Sequence, residues 1–172
     1  MVLWGKVAKL DKTKYPTFTR LWTSYPSNDP CDRNQVKWQC AVYLSTALVR
    51  AGIIGSKGFD KKQGYDPNPT CPGIGSFAGL RLARGSKSLA DFLHHRLRAV
   101  KPVNGGTNTE QLFMSKKQKG IIFYKNIKGF TNQGGGQGSH IDLWDGTKLG
   151  KARFKLGEYF KQAEKVYFWE FK

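Results

Sequence analysis

The period of the hydrophobic residues changes once along this chain, and that change restricts the fold more than any other feature. Up to residue 97 apolar positions recur at spacings of three and four; from residue 120 they gather in short β-rich runs. Helices followed by antiparallel strands make an α+β fold, in contrast to the alternating βαβ order of a parallel sheet. Phe18, Leu21, Trp22 and Tyr25 share one face of a short helix with Pro16 near its start. From Val36 the helical pattern resumes, with Ala41, Leu44, Ala47, Leu48 and Ala51 as its stripe and Gly52 as its cap. Few polar groups interrupt that stripe, so this helix is expected to be central. Ser88 is expected to open a third helix, with Asp91 as a variant capping box, Leu89, Phe92, Leu93 and Leu97 inward, and Pro102 beyond its end. Residues 55–80 read as one long loop, and loops of that size are often functional. A short helical turn is expected around Glu110–Met114. Strands are expected at Gly120–Lys125, His140–Trp144 and Val166–Phe171, with a glycine-rich loop over Thr131–Ser139 and a hairpin-type turn at Asp145-Gly146.

A length of 172 residues suits one domain over 1–172, and 13% aromatic content supplies the burial that a disordered chain lacks. Charge calls for a partner: 29 Lys plus Arg against 12 Asp plus Glu leave a net +17. That favours a polyanion, whether nucleic acid, an anionic membrane surface or an acidic cell-surface polymer. No RNA-binding aromatic motif, helix-turn-helix signature or zinc finger supports nucleic acid. No apolar run approaches the roughly 20 residues of a membrane span, so no membrane insertion is expected. The start, Met1 to Lys6, has no apolar run followed by a cleavage site, so no secretory signal is expected, which leaves export by a dedicated machine open.

The cysteines are Cys31, Cys40 and Cys71. They form no CxxC pair and have no histidine at zinc spacing, so no metal site is expected. Cys31 and Cys71 both lie in loops of Pro, Asp, Asn and Gly. They are the pair a disulfide would join; three free thiols are the other reading. Cys40 sits in the first turns of the central helix, where the helix dipole and unpaired amides favour thiolate. A small buried core residue is the alternative reading for it. His140 opens a strand directly after glycines, which let a substrate backbone approach closely, and it suits a general base. Asp142 shares its strand face and is the first choice to orient the imidazole; Asp145 at the turn is the second. His94 and His95 lie within a helix and read as structural. Trp38, Gln39, Trp144, Gly138 and Ser139 are candidate groove residues, with a place in the core as the alternative reading for each Trp, and Gln39, Gln35 and Asn34 are candidate oxyanion donors.

These residues also resemble a known family. The blocks are Trp38-Gln-Cys40-Ala through Leu48, Arg84-Gly85 with Ser88 to Leu93, Lys119 to Phe123, and Gly138-Ser-His140-Ile-Asp-Leu-Trp-Asp-Gly146, with Phe18, Leu21 and Tyr25-Pro26 upstream. In this order they resemble the type VI secretion amidase effectors of family four. The resemblance implies a papain-like fold of the NlpC type, with a nucleophile-bearing helix on an antiparallel sheet. It implies a peptidoglycan amidase cutting the stem peptide between D-glutamate and meso-diaminopimelate, without cofactor or metal. It also implies injection by a secretion apparatus into the periplasm of rival bacteria, and a cognate immunity protein. Carried over, the nucleophile falls on Cys40 and the base on His140. The family's acid lies about a strand's length past the histidine, where Lys148 to Arg153 here holds none, so either Asp142 takes the role or the enzyme works as a Cys-His dyad with a different orienting group. On this reading the polyanion is the cell wall. A nucleic-acid-binding domain, or a papain-like protease or acyltransferase on another substrate, are the alternatives.

Overall fold

A computed structural model describes residues 16–61, 65, 70–97, 100–131, 137–150 and 156–171. The N-terminal start, the glycines at 134–136 and residues 151–153 lie outside the described residues. Helix α1 (Phe18–Thr23) begins where the Thr17 side chain accepts from the Arg20 backbone N–H, and it buries Phe18 and Leu21. Helix α2 (Cys40–Arg50) is the centre of the molecule: every residue from Ala41 to Val49 is buried. It starts at Cys40 and not at Val36. Val36 is instead drawn into a separate cluster with Val42, Leu82 and the half-cystines Cys31 and Cys71. The Gln39 side chain donates to the Cys31 carbonyl at 2.7 Å, which holds the chain out of helix until Cys40. Gly52, at φ 83°, takes the left-handed conformation just after the helix ends.

The expected loop over 55–80 is not structureless. It carries β1 (Thr70–Pro72), which pairs antiparallel with β2 (Arg81–Ala83) and contains Cys71. Cys31 and Cys71 are joined in a disulfide. Helix α3 (Ser86–Arg96) starts at Ser86, earlier than Ser88, and has no side-chain cap. Asp91 therefore serves no capping box; it pairs with Lys87 at 2.8 Å, one helical turn back.

The remaining elements are β3 (Val103–Asn104), α4 (Thr107–Lys116), β4 (Gly120–Thr131), β5 (Gln137–Trp144), α5 (Leu156–Gln162) and β6 (Ala163–Glu170). Four strands form one antiparallel sheet in the order β3-β6-β4-β5. Gly138 pairs with Ile127, so the glycine-rich segment is shorter than expected and its end belongs to β5. The sheet is buried on both faces, which explains the unbroken run Ile121-Ile122-Phe123-Tyr124. Ile121, Phe123, Ile141, Leu143 and Trp169 pack on the side of α2 and α3. Ile122, Tyr124, Trp144 and Val166 pack on the other side with Phe113 of α4 and Phe160 of α5. The short helical turn expected around Glu110–Met114 is the longer α4 of this second layer. Among the described residues, no helix is long and apolar enough to cross a membrane, and no group of His, Cys, Asp or Glu could hold a metal ion.

Candidate active site

Strand β5 is an edge of the sheet, and α2 brings its first residue to that open edge. The Ile141 backbone N–H, directed away from β4, hydrogen-bonds the Cys40 thiol there. Cys40 is the free cysteine among the described residues. Its Sγ lies 3.0 Å from the Oγ of Ser86, the first residue of α3. Two helix starts and one strand edge thus converge on a single sulfur.

His140 and Asp142 project from the same face of β5. His140 Nε2 lies 3.5 Å from Asp142 Oδ2, which leaves Nδ1 to face the thiol. Burial pushes the Cys40 thiol up. Hydrogen bonds with His140, Ser86 and the Ile141 N–H, with the imidazolium charge, outweigh that and hold it below the ordinary thiol range. Burial likewise works to lower the His140 imidazole, yet its bonds to Asp142 and Cys40 raise it to about 9. Both directions favour a thiolate–imidazolium pair.

Asp142 is buried and fixed from two further sides. Its Oδ1 accepts from Tyr25 Oη at 2.5 Å and from the Leu143 backbone N–H at 2.7 Å. A Cβ at Gly150 would stand 2.9 Å from Oδ1 and 3.1 Å from the Tyr25 ring, so this approach requires glycine. The Tyr25 phenol is held well above its ordinary range by burial and by Asp142, and it remains a donor. The Tyr159 ring stacks on His140 with centroids 4.5 Å apart and closes the face of the imidazole away from solvent.

A shallow pocket of about 50 Å³ opens onto this group, lined also by Arg33, Lys37, Trp38, Phe130 and Tyr159. Trp38 meets Phe130 at 5.4 Å between ring centroids. Of the sequence candidates, Cys40, His140, Asp142, Trp38 and Gln39 line this pocket, and the others do not. Trp144 is no groove wall: it is fully buried against Phe160 on the far side of the sheet. Gly138 lies beneath Phe130, whose ring a Cβ would strike at 2.4 Å, so its contribution is to seat that ring. Ser139 Oγ accepts from the Asn126 backbone N–H at 3.2 Å and faces the β4–β5 ladder. Asp145 is not the orienting acid. Its Oδ1 accepts from the Thr147 and Lys148 backbone N–H groups and caps the turn after β5. Asn34 and Gln35 are exposed on the turn before α2, and the Gln39 amide is engaged by Cys31, so none of the three aims a donor at the thiol.

Tyr25, Tyr159, Ser86 and Phe130 were missed as site residues. Tyr25 had a signal, because it sits in one of the matching blocks, but its partner lies 117 positions away.

A family model described as Type VI secretion system (T6SS), amidase effector protein 4, matches residues 37–169. The effector Tae4 from Enterobacter cloacae superposes with a TM-score of 0.63 at 19% identity, covering 91% of this chain and 97% of that one. Tae4 in the effector–immunity complex Tae4-Tai4 from Salmonella Typhimurium gives 0.66 at 17% identity, covering 91% and 99%. The corresponding complex from Enterobacter cloacae gives 0.62 at 19%, again covering 91% and 99%. No curated protein matches the chain by sequence.

Proposed function

From the premise that this chain belongs to the type VI secretion amidase effector 4 family, with its papain-like NlpC-type fold, we propose that it cuts the peptidoglycan stem peptide between D-glutamate and meso-diaminopimelate. Cys40 is the nucleophile, His140 the base and acid, and Asp142 the orienting carboxylate. One observation carries this reading: an edge strand sets His140 and Asp142 side by side against a thiol at a helix start. The Cys40 thiolate attacks the γ-carbonyl carbon of D-glutamate. The oxyanion meets the Cys40 backbone N–H, which has no intrahelical acceptor in the first turn of α2. The imidazolium of His140 gives its proton to the departing amine. His140 then deprotonates a water that cleaves the thioester and restores the thiol. Asp142 keeps the ring in one orientation throughout, itself held by Tyr25.

In this reading the protein is exported by a secretion apparatus and acts in the periplasm of target bacteria. Two of these solved relatives are complexes with an immunity protein, so a cognate immunity protein made by the producing cell is the expected partner. Digestion of purified Gram-negative sacculi tests the proposal. Wild type is expected to release muropeptides ending in D-glutamate, and Cys40→Ala to lose about 1,000-fold or more in rate. Equal release by both proteins would exclude the thiol mechanism.

A further inference from the structure

Lys37 stands on the turn before α2, three residues ahead of Cys40, and lines the same pocket as Cys40 and His140. Its Nζ lies 5.6 Å from the Trp38 ring centroid. The other cation lining this pocket is already occupied. Arg33 Nη2 donates to Asp29 Oδ1 at 2.6 Å and to Tyr43 Oη at 3.3 Å, while its Nε donates to the second Asp29 oxygen. Tyr43 also donates to Asp29. This network fixes the wall and neutralises it locally. The carboxylate that lines the pocket, Asp142, is 1% exposed and turned toward His140 and Tyr25. Lys37 itself makes no salt bridge among the described residues. Among the described residues, the pocket therefore carries a lysine charge that no carboxylate pairs with.

The substrate supplies the missing charge. A D-glutamate linked through its γ-carbonyl keeps its α-carboxylate, separated from the attacked carbon by two methylenes and Cα, about 5 Å through standard bond lengths. A carboxylate that close to the attacked carbon must sit at the pocket wall when the thiolate is in reach. An ammonium with three rotatable donors can meet it from an unfixed direction, as a point charge does. We infer that Lys37 determines specificity by pairing with the α-carboxylate of the D-glutamate whose γ-carbonyl is attacked. The inference rests on the amidase reading above and names the substrate group that this site selects.

The test uses two tetrapeptide muropeptides that differ only at that group, one with the free α-carboxylate and one with the α-carboxamide. Wild type is expected to favour the acid by about tenfold in kcat/KM, the size of one charge-assisted hydrogen bond. Lys37→Gln is expected to lose on the acid alone, mainly through KM, and to treat the two alike. Lys37→Arg should keep the preference. The circular dichroism spectrum and thermal midpoint of Lys37→Gln, compared with wild type, serve as its folding control. Equal cleavage of both peptides by wild type, or an intact preference in Lys37→Gln, would overturn the inference and leave the amidase reading standing. Failure of wild type to cut either peptide, with Cys40 still open to alkylation, would overturn the amidase reading and this inference with it.

Discussion

His140 sets the pH behaviour of the site. Its folded pKa is raised from 6.5 to about 9 by Asp142 and Cys40, against the effect of burial. A raised imidazole adds stability that is complete below its unfolded value and lost as pH rises through about 9. The thiolate–imidazolium pair has the same upper limit, so kcat/KM is expected to decline near pH 9. Asp142→Asn removes the charge that holds the proton, and it should bring that limb to lower pH with a loss of about 100-fold or more in rate. Asp145→Ala should leave the limb in place, because Asp145 caps a turn. A pH–rate profile on a soluble muropeptide distinguishes the two. Cys40 and His140 were legible in sequence because each sits at a marked position, one at a helix start and one behind glycines. Tyr25 and Tyr159 were not, since their roles exist only once distant segments close on the same imidazole and carboxylate.

Among the elements, α5 explains the largest misreading. No element is assigned by pattern between the Asp145-Gly146 turn and Val166, so the cover that α5 gives the far face of the sheet was not legible. Without that layer, the groove and core readings of Trp144 could not be separated, and it shares its strand face with His140 and Asp142. With it, the face divides: the first two residues reach the open edge, and Trp144 passes under Phe160. The start of α2 was displaced for a related reason. A disulfide over a separation of 40 residues, with Gln39 bonded to the Cys31 carbonyl, fixes the segment that the apolar pattern assigned to helix. Closing a loop of that size restricts the unfolded chain and is worth about 4 kcal/mol. The double substitution Cys31→Ser with Cys71→Ser is expected to lower the urea midpoint by that stability, measured by circular dichroism. The single β1–β2 pairing and its small cluster should open first.

At the scale of the whole molecule, the net charge of +17 acts over distances that no single contact spans. Peptidoglycan and its attached polymers carry carboxylates, so attraction should hold the enzyme on its mesh and speed encounter. Screening shortens that reach to about 8 Å at physiological ionic strength and about 3 Å at 1 M. Binding of Cys40→Ala protein to sacculi, followed by co-sedimentation, is therefore expected to weaken steadily as salt is raised over this range. Cleavage of a small soluble muropeptide should change much less. The disulfide has a consequence of another kind, since it makes each molecule a record of where it has been. Cytosolic glutathione and thioredoxin keep thiols reduced, while a bacterial periplasm oxidises them. A molecule caught before export should take up an alkylating label at Cys31, Cys40 and Cys71, and one recovered from a target periplasm at Cys40 alone. Intact mass after labelling under denaturing conditions would separate molecules carrying three labels from those carrying one.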